Sequence, residues 1–272
     1  MAQTRLTRVR QLVAIVLVVA CRGDRGAVRS AQKSDTSAVA KAADPERPWR
    51  VVSWEPYAGV DPGDLGLGVV YLTHAEDKGA TTRTDTLLLR SAPDSTSPPV
   101  GAMLFTVAAN GVTQYAIAAP DSLRANLVEY GYEESGVPFD SADASGRWMR
   151  GILGFTSGGV AQVGWVDARR PGTRVIRWAE HLTDRPIFFP EPEHAAFFAT
   201  ADSTKRVPVP RGGDDAYAIH PMEVRGRWLH VRVVTPSDNC EPDFTGGHTQ
   251  MAWIRYLDDR GRPNVWYYTR GC

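Results

Sequence analysis

Glu191-Pro192-Glu193-His194 sets two carboxylates beside an imidazole, side-chain types that move protons or ligate metals. Pro190 and Pro192 flank Glu191, however, and a stiff connector between domains is the better reading of that segment. The remaining histidines, His74, His181, His220, His230 and His248, are scattered, with no HExxH and no i, i+4 pair. Asp258-Asp259-Arg260-Gly261 gathers acids next to a glycine, a composition that suits a hairpin tip between two tryptophan-bearing strands. There is no GxSxG, no Walker A loop and no dinucleotide GxGxxG after a strand. Catalysis, a bound cofactor and a metal centre are therefore not expected, although a spatial triad leaves no local signature. Lys+Arg and Asp+Glu balance at 31 each, so no basic field argues for nucleic acid.

The three cysteines carry a different chemistry. Cys21 follows a basic start (Arg5, Arg8, Arg10) and an apolar run from Leu12 to Ala20. That is the layout of a secretory signal peptide, and the run is about half of the ~20 residues a spanning helix needs. The ending Val18-Val19-Ala20-Cys21 resembles the lipobox of bacterial lipoproteins. The resemblance implies cleavage before Cys21, a lipid on its sulfur and an anchor in a membrane of the bacterial cell envelope. In a Gram-negative cell this would be the outer membrane, facing the periplasm. With Cys21 assigned to lipid, Cys240 and Cys272 remain as a pair in an oxidising compartment, and a disulfide is expected. Such a bridge should add roughly 3–4 kcal/mol in the chain-entropy model. Two free thiols or a metal pair is the rival reading, and neither a CxxC nor a nearby histidine cluster supports it.

Residues 22–48 contain no aromatic residue, no Leu and no Ile, and read as a disordered linker. From Trp49 onward the chain shows short runs rich in Val, Ile, Tyr, Trp and Thr, separated by Gly and Pro clusters such as Ser157-Gly158-Gly159 and Pro171-Gly172. No window sustains a long helical period; only Asp121–Tyr130 and Glu193–Phe198 suggest a short helical turn. The expectation is an all-β protein.

The second half of this region echoes the first. Gly146-Arg147-Trp148-Met149 recurs as Gly226-Arg227-Trp228-Leu229, and Gly164-Trp165-Val166 recurs as Ala252-Trp253-Ile254. Trp165 to Trp178 and Trp253 to Trp266 are both thirteen residues apart, and Leu88–Thr96 is echoed by Phe197–Thr204 with one residue deleted. Trp148 to Trp165 spans seventeen residues but Trp228 to Trp253 twenty-five; the extra eight lie around Cys240.

These landmarks resemble bacterial Src-homology-3-like domains, over about Thr84–Leu182 and Ala195–Cys272. The resemblance implies two tandem small Src-homology-3-like β-barrels after a signal peptide (1–20) and the lipidated linker (21–48). The first, 49–190, carries an N-terminal extension in which 51–83 forms an extra hairpin; the second is 191–272. It further implies a non-catalytic module for peptide ligands, peptidoglycan or a segment of an envelope protein. A structural scaffold without a groove is the alternative, and a cell-wall hydrolase working through 51–127 a third. Ligand-contacting candidates are Trp148 and Trp228, which begin corresponding strands, and Tyr130 and Tyr132, which sit beside Glu133 and Glu134. Trp165 and Trp253 are read as strand residues whose rings close the core.

Overall fold

A computed structural model describes residues 49–54, 65–73, 83–107, 113–120, 123–202, 204–208, 216–238 and 247–270. Cys21, Cys240 and Cys272, the signal segment and the linker lie outside the described residues. The strands of the first part are β1 (Arg50–Trp54), β2 (Gly68–Leu72), β3 (Arg83–Arg90), β4 (Pro99–Val107), β5 (Thr113–Ala119), β6 (Arg124–Ala125), β7 (Val128–Gly131), β8 (Glu134–Ala142), β9 (Trp148–Phe155), β10 (Ala161–Asp167) and β11 (Thr173–Arg177). A one-turn helix, α1 (Trp178–His181), leads to β12 (Ile187–Phe188), a 3-10 turn (Pro192–His194), β13 (Ala218–Arg225), β14 (Trp228–Thr235), β15 (His248–Arg255) and β16 (Trp266–Tyr267).

The protein is mostly β, and every pairing among the described strands is antiparallel. Eleven strands form one sheet, ordered β1-β5-β4-β3-β10-β9-β8-β2-β11, with β6 beside β9 and β7 beside β8. Five form the other, ordered β15-β14-β13-β12-β16. The last five strands of the large sheet, β10-β9-β8-β2-β11, repeat the order of the small one when each is read from its fourth strand in sequence. Neither sheet closes into a barrel among the described residues. In the large sheet β3 continues past β10 through the single pair Trp165↔Arg90 and carries β4, β5 and β1 with it.

The echoed segments occupy matching ladder positions. Met149↔Val166, Arg150↔Trp165 and Gly151↔Gly164 pair β9 with β10; Leu229↔Ile254, His230↔Trp253 and Val231↔Ala252 pair β14 with β15 in the same register. Ala168 N–H donates to Arg147 O at 2.8 Å, and the matching Tyr256 N–H donates to Arg227 O at 3.2 Å. Arg90 stands opposite Trp165 as Phe198 stands opposite Trp253. After each the chain turns back: Ser91 N–H donates to Pro98 O, and Ala199 N–H to Lys205 O. The ladder matches Arg90 to Phe198, one residue away from the sequence echo, which had set Arg90 against Ala199.

Two large clusters of apolar side chains, and a small one around Ala102, Leu104 and Ala118, hold the described fold. Strand β2 is buried on both faces: Val69 joins one cluster, Val70 and Leu72 the other, as the period of two requires. The Val70 cluster fills the large sheet with Leu89, Met103, Phe139, Met149, Leu153 and Val166. The Val69 cluster runs into the small sheet, where Trp178 and Leu182 meet Ile219, Leu229, Val231, Ile254 and Trp266. Trp178 is fully buried, its indole N–H donates to Leu65 O at 2.8 Å, and its ring meets Trp266 edge-on with centroids 4.9 Å apart. The two tryptophans at equivalent places in the echo thus touch each other.

Several expectations change. Ile187–Phe188 pairs with β13 and β16, so the small sheet starts before residue 191. The described strands of 51–83 do not pair with each other, since β1 pairs with β5 and β2 lies between β8 and β11. Within Asp121–Tyr130 the described residues form β6 and β7 rather than a helical turn, because their donors go to neighbours: Asn126 N–H reaches Leu153 O at 2.9 Å. Trp253 is buried and Trp165 half-buried, but neither joins the clusters that hold their neighbours Ile254 and Val166, since adjacent strand residues face opposite ways.

Candidate functional site

Two cavities lie at corresponding positions of the two sheets. The first, about 290 Å³, is bounded by β3 (Leu87, Leu88, Arg90), Ser95 in the following loop, Trp148, and Asp167 and Arg170 at the end of β10. Trp148 is placed by the turn before it: Asp143 Oδ1 accepts the Trp148 N–H at 2.8 Å, and the Asp143 N–H donates to Trp148 O at 2.9 Å. The indole is buried yet outside both cores, with the Arg147 guanidinium 5.3 Å above its ring.

Arg147 also forms a two-pronged contact with Asp167, Nε–H to Oδ1 at 3.0 Å and Nη2–H to Oδ2 at 2.6 Å. That fork holds the Asp167 carboxyl below the usual carboxylate range, against the opposing effect of burial. Arg170 Nη2 donates to Asp85 Oδ1 at 3.0 Å, while its Nη1 is shielded from solvent without a hydrogen-bond partner. Arg90 donates from Nη1 to Ser97 O at 2.7 Å. The Ser91–Pro98 loop is braced from within, since Asp94 accepts from Thr96 N–H and Oγ1–H and Ser97 Oγ–H donates to Ala92 O.

The second cavity, about 320 Å³, is walled by Phe189, Pro190, Phe198 and Pro263, with Arg255 and Asn264 as polar edges. Phe198 meets Trp228 edge-on at 5.3 Å. Glu191 and His194 pair with each other on the exposed 3-10 turn at its rim. Arg255 and Asp167 are equivalent residues, opposite Trp228 and Trp148 respectively.

The sequence candidates therefore separate. Trp148 lines the first cavity, and Trp228 backs the second through Phe198. Tyr130 and Tyr132 line neither cavity. The Tyr130 ring is buried against Tyr71 at 4.3 Å in the shared core, and that burial pushes its phenol up. The Tyr130 carbonyl accepts from Tyr267 OH at 2.8 Å, and His181 Nε2 lies 3.2 Å from it and 3.0 Å from Tyr267 OH. Tyr132 is exposed at the β7–β8 turn, where Arg270 covers its ring at 5.7 Å and pairs with Glu129 at 2.9 Å and Glu133 at 3.7 Å. Arg90, Asp167, Arg170, Phe189, Phe198 and Arg255 were not singled out from the sequence. The echo of Leu88–Thr96 in Phe197–Thr204 covered Arg90 and Phe198 but set them one residue out of register.

A third polar group lies on the small sheet, where His220 Nε2 is 2.6 Å from Asp238 Oδ1 and Arg232 is 3.9 Å from Oδ2. No group of three or more His, Cys, Asp and Glu side chains suited to a metal occurs among the described residues. Comparisons with protein-family models, with curated proteins and with solved structures find no match to this chain.

Proposed function

We propose that this protein is a lipid-anchored lipoprotein of the bacterial cell envelope that binds peptides without transforming them. In this reading Cys21 carries the lipid, residues 22–48 form the tether, and a Cys240–Cys272 disulfide ties down the C-terminal segment. The folded part is then a tandem of Src-homology-3-like units, and the shared strand order and hairpin register of the two sheets support this. The observation that carries the binding function is the pair of cavities beside Trp148 and Trp228, residues that begin equivalent strands. Phe189, Pro190, Phe198 and Pro263 offer flat apolar walls, and Arg255 and Asn264 offer polar edges. That combination suits an extended peptide held by its side chains, with a peptidoglycan stem or cross-bridge as the ligand.

The full-length protein in mild detergent, co-sedimented with purified sacculi, tests the reading. Wild type should be retained, and Trp228→Ala and Phe198→Ala should lower retention while keeping the wild-type melting transition. No retention of wild type, or equal retention of all three, overturns it. A brace without a ligand groove is the second reading, favoured by exposed Met222, Val224 and Met251 on the small sheet.

A further inference from the structure

We propose that the cavity beside Trp148 binds a carboxylate, the C-terminal carboxylate of a peptide. This rests on the peptide-binding reading and names the chemical group recognised by one of its two cavities.

The cations around the cavity are not all held in ion pairs. Arg147 and Asp167 neutralise each other through their two-pronged contact, and Arg170 is paired with Asp85. Arg90 lines the same cavity and has no carboxylate within ion-pair distance among the described residues. It donates one hydrogen bond to the Ser97 carbonyl, out of the five its guanidinium offers. The acid in the adjoining loop, Asp94, uses both carboxylate oxygens on Thr96. Arg170 adds a second unmet demand, because its Nη1 is shielded from water and unpartnered, and a buried donor without an acceptor is destabilising. Two guanidinium groups with spare donors at one cavity match the two oxygens of a carboxylate.

The fold does not require this arrangement. At the matching ladder position, opposite Trp253 instead of Trp165, the chain places Phe198 where the first sheet has Arg90. Arg255 stands where the first sheet has Asp167. The same backbone framework accepts an apolar ring, so the Arg90 guanidinium is surplus to strand pairing. Size limits the ligand as well. A cavity of about 290 Å³ is at the small end of ligand sites, enough for one terminal residue packed between Trp148, Leu87 and Leu88. A peptide entering by its end presents one carboxylate and one side chain, which fits both the volume and the wall chemistry.

Short peptides immobilised through their N-termini and randomised towards the C-terminus, ended either as the acid or as the amide, provide the probe. Full-length protein in detergent should be captured about tenfold more strongly by the acid library. Arg90→Gln should erase that preference, Arg90→Lys should recover part of it, and both should melt like wild type. Equal capture on acid and amide, or an unchanged preference in Arg90→Gln, overturns the carboxylate site. So does inorganic phosphate that competes as well as free peptide acid, since that marks a generic anion site. The parent reading fails separately: a protein that ignores both libraries and does not sediment with sacculi binds no peptide. One that takes acid and amide equally, and loses both with Phe198→Ala, still does.

Discussion

Replacing Trp178 tests how the two sheets are joined. The indole is fully buried, donates to Leu65 O at 2.8 Å and meets Trp266 edge-on at 4.9 Å. Trp178→Ala removes a large side chain from the core that spans β2, β13, β14 and β15. Truncations of buried Trp or Phe cost about 3–5 kcal/mol. For a domain of this size each kcal/mol lowers Tm by roughly 2–4 °C, so a drop of about 6–20 °C is expected. Trp178→Phe keeps an aromatic ring but leaves Leu65 O without its donor, and should cost about 1–3 kcal/mol. Urea unfolding followed by far-ultraviolet circular dichroism and by tryptophan fluorescence is the assay. Because the core is shared, wild type and both variants should unfold in one transition with the two probes coinciding. Two separate transitions in wild type, or a Trp178→Ala loss below about 1 kcal/mol, would refute the claim of a common core.

His181 supplies a pH prediction. Burial, then the nearby Arg185 charge, lowers its pKa from the ordinary 6.5. The unfolded chain takes up that proton first, so the stability from neutral His181 is complete above about pH 6.5 and falls away as the pH drops towards the lower folded value. Tm measured from pH 8 to 5 should show that slope, and His181→Gln should flatten it; an unchanged slope removes His181 as its source. Gly66 has a positive φ of 61°, and a Cβ there would sit 2.3 Å from the Phe139 carbonyl oxygen. Gly66→Ala should therefore destabilise by more than the about 1 kcal/mol of an ordinary glycine effect, as urea midpoints would show; a neutral outcome contradicts the close approach. For the cysteines, intact mass before and after reduction should reveal a difference of two hydrogens and no alkylatable thiol in the native protein, whereas two alkylated thiols exclude the Cys240–Cys272 bridge.

Turn and pairing signals explain which parts of the fold were legible in the chain. Gly226 sits in the two-residue link between Arg225 and Trp228, with a φ of 59° that glycine adopts freely, so the Gly-Arg-Trp echo located a hairpin. Strands β9, β10, β14 and β15 were readable as Trp- and Val-rich runs for the same local reason. Strands β8 and β13 were not. Pro138 and Pro221 demote such segments in any sequence pattern, yet Pro138 pairs opposite Val69 and Pro221 opposite Val231, each within two residues of a register shift that relaxes the ladder. Strand β12 has two residues and no pattern to detect. Among the site residues, Trp148 and Trp228 were visible because each follows a glycine turn. Tyr130 looked equally suitable, but alternation along β7 turns its ring towards Tyr71 and the core.

By itself the sequence determined the all-β character, the turns, and the echo between the two halves, since these depend on neighbours a few residues apart. The tertiary structure decided the rest: Arg90 and Arg170 at one cavity with Trp148, Trp178 against Trp266, and Phe198 in the place of Arg90. Those contacts join residues tens of positions apart, and which face each presents depends on strand register. A shift of one residue would reverse it, and no short-range pattern encodes that choice.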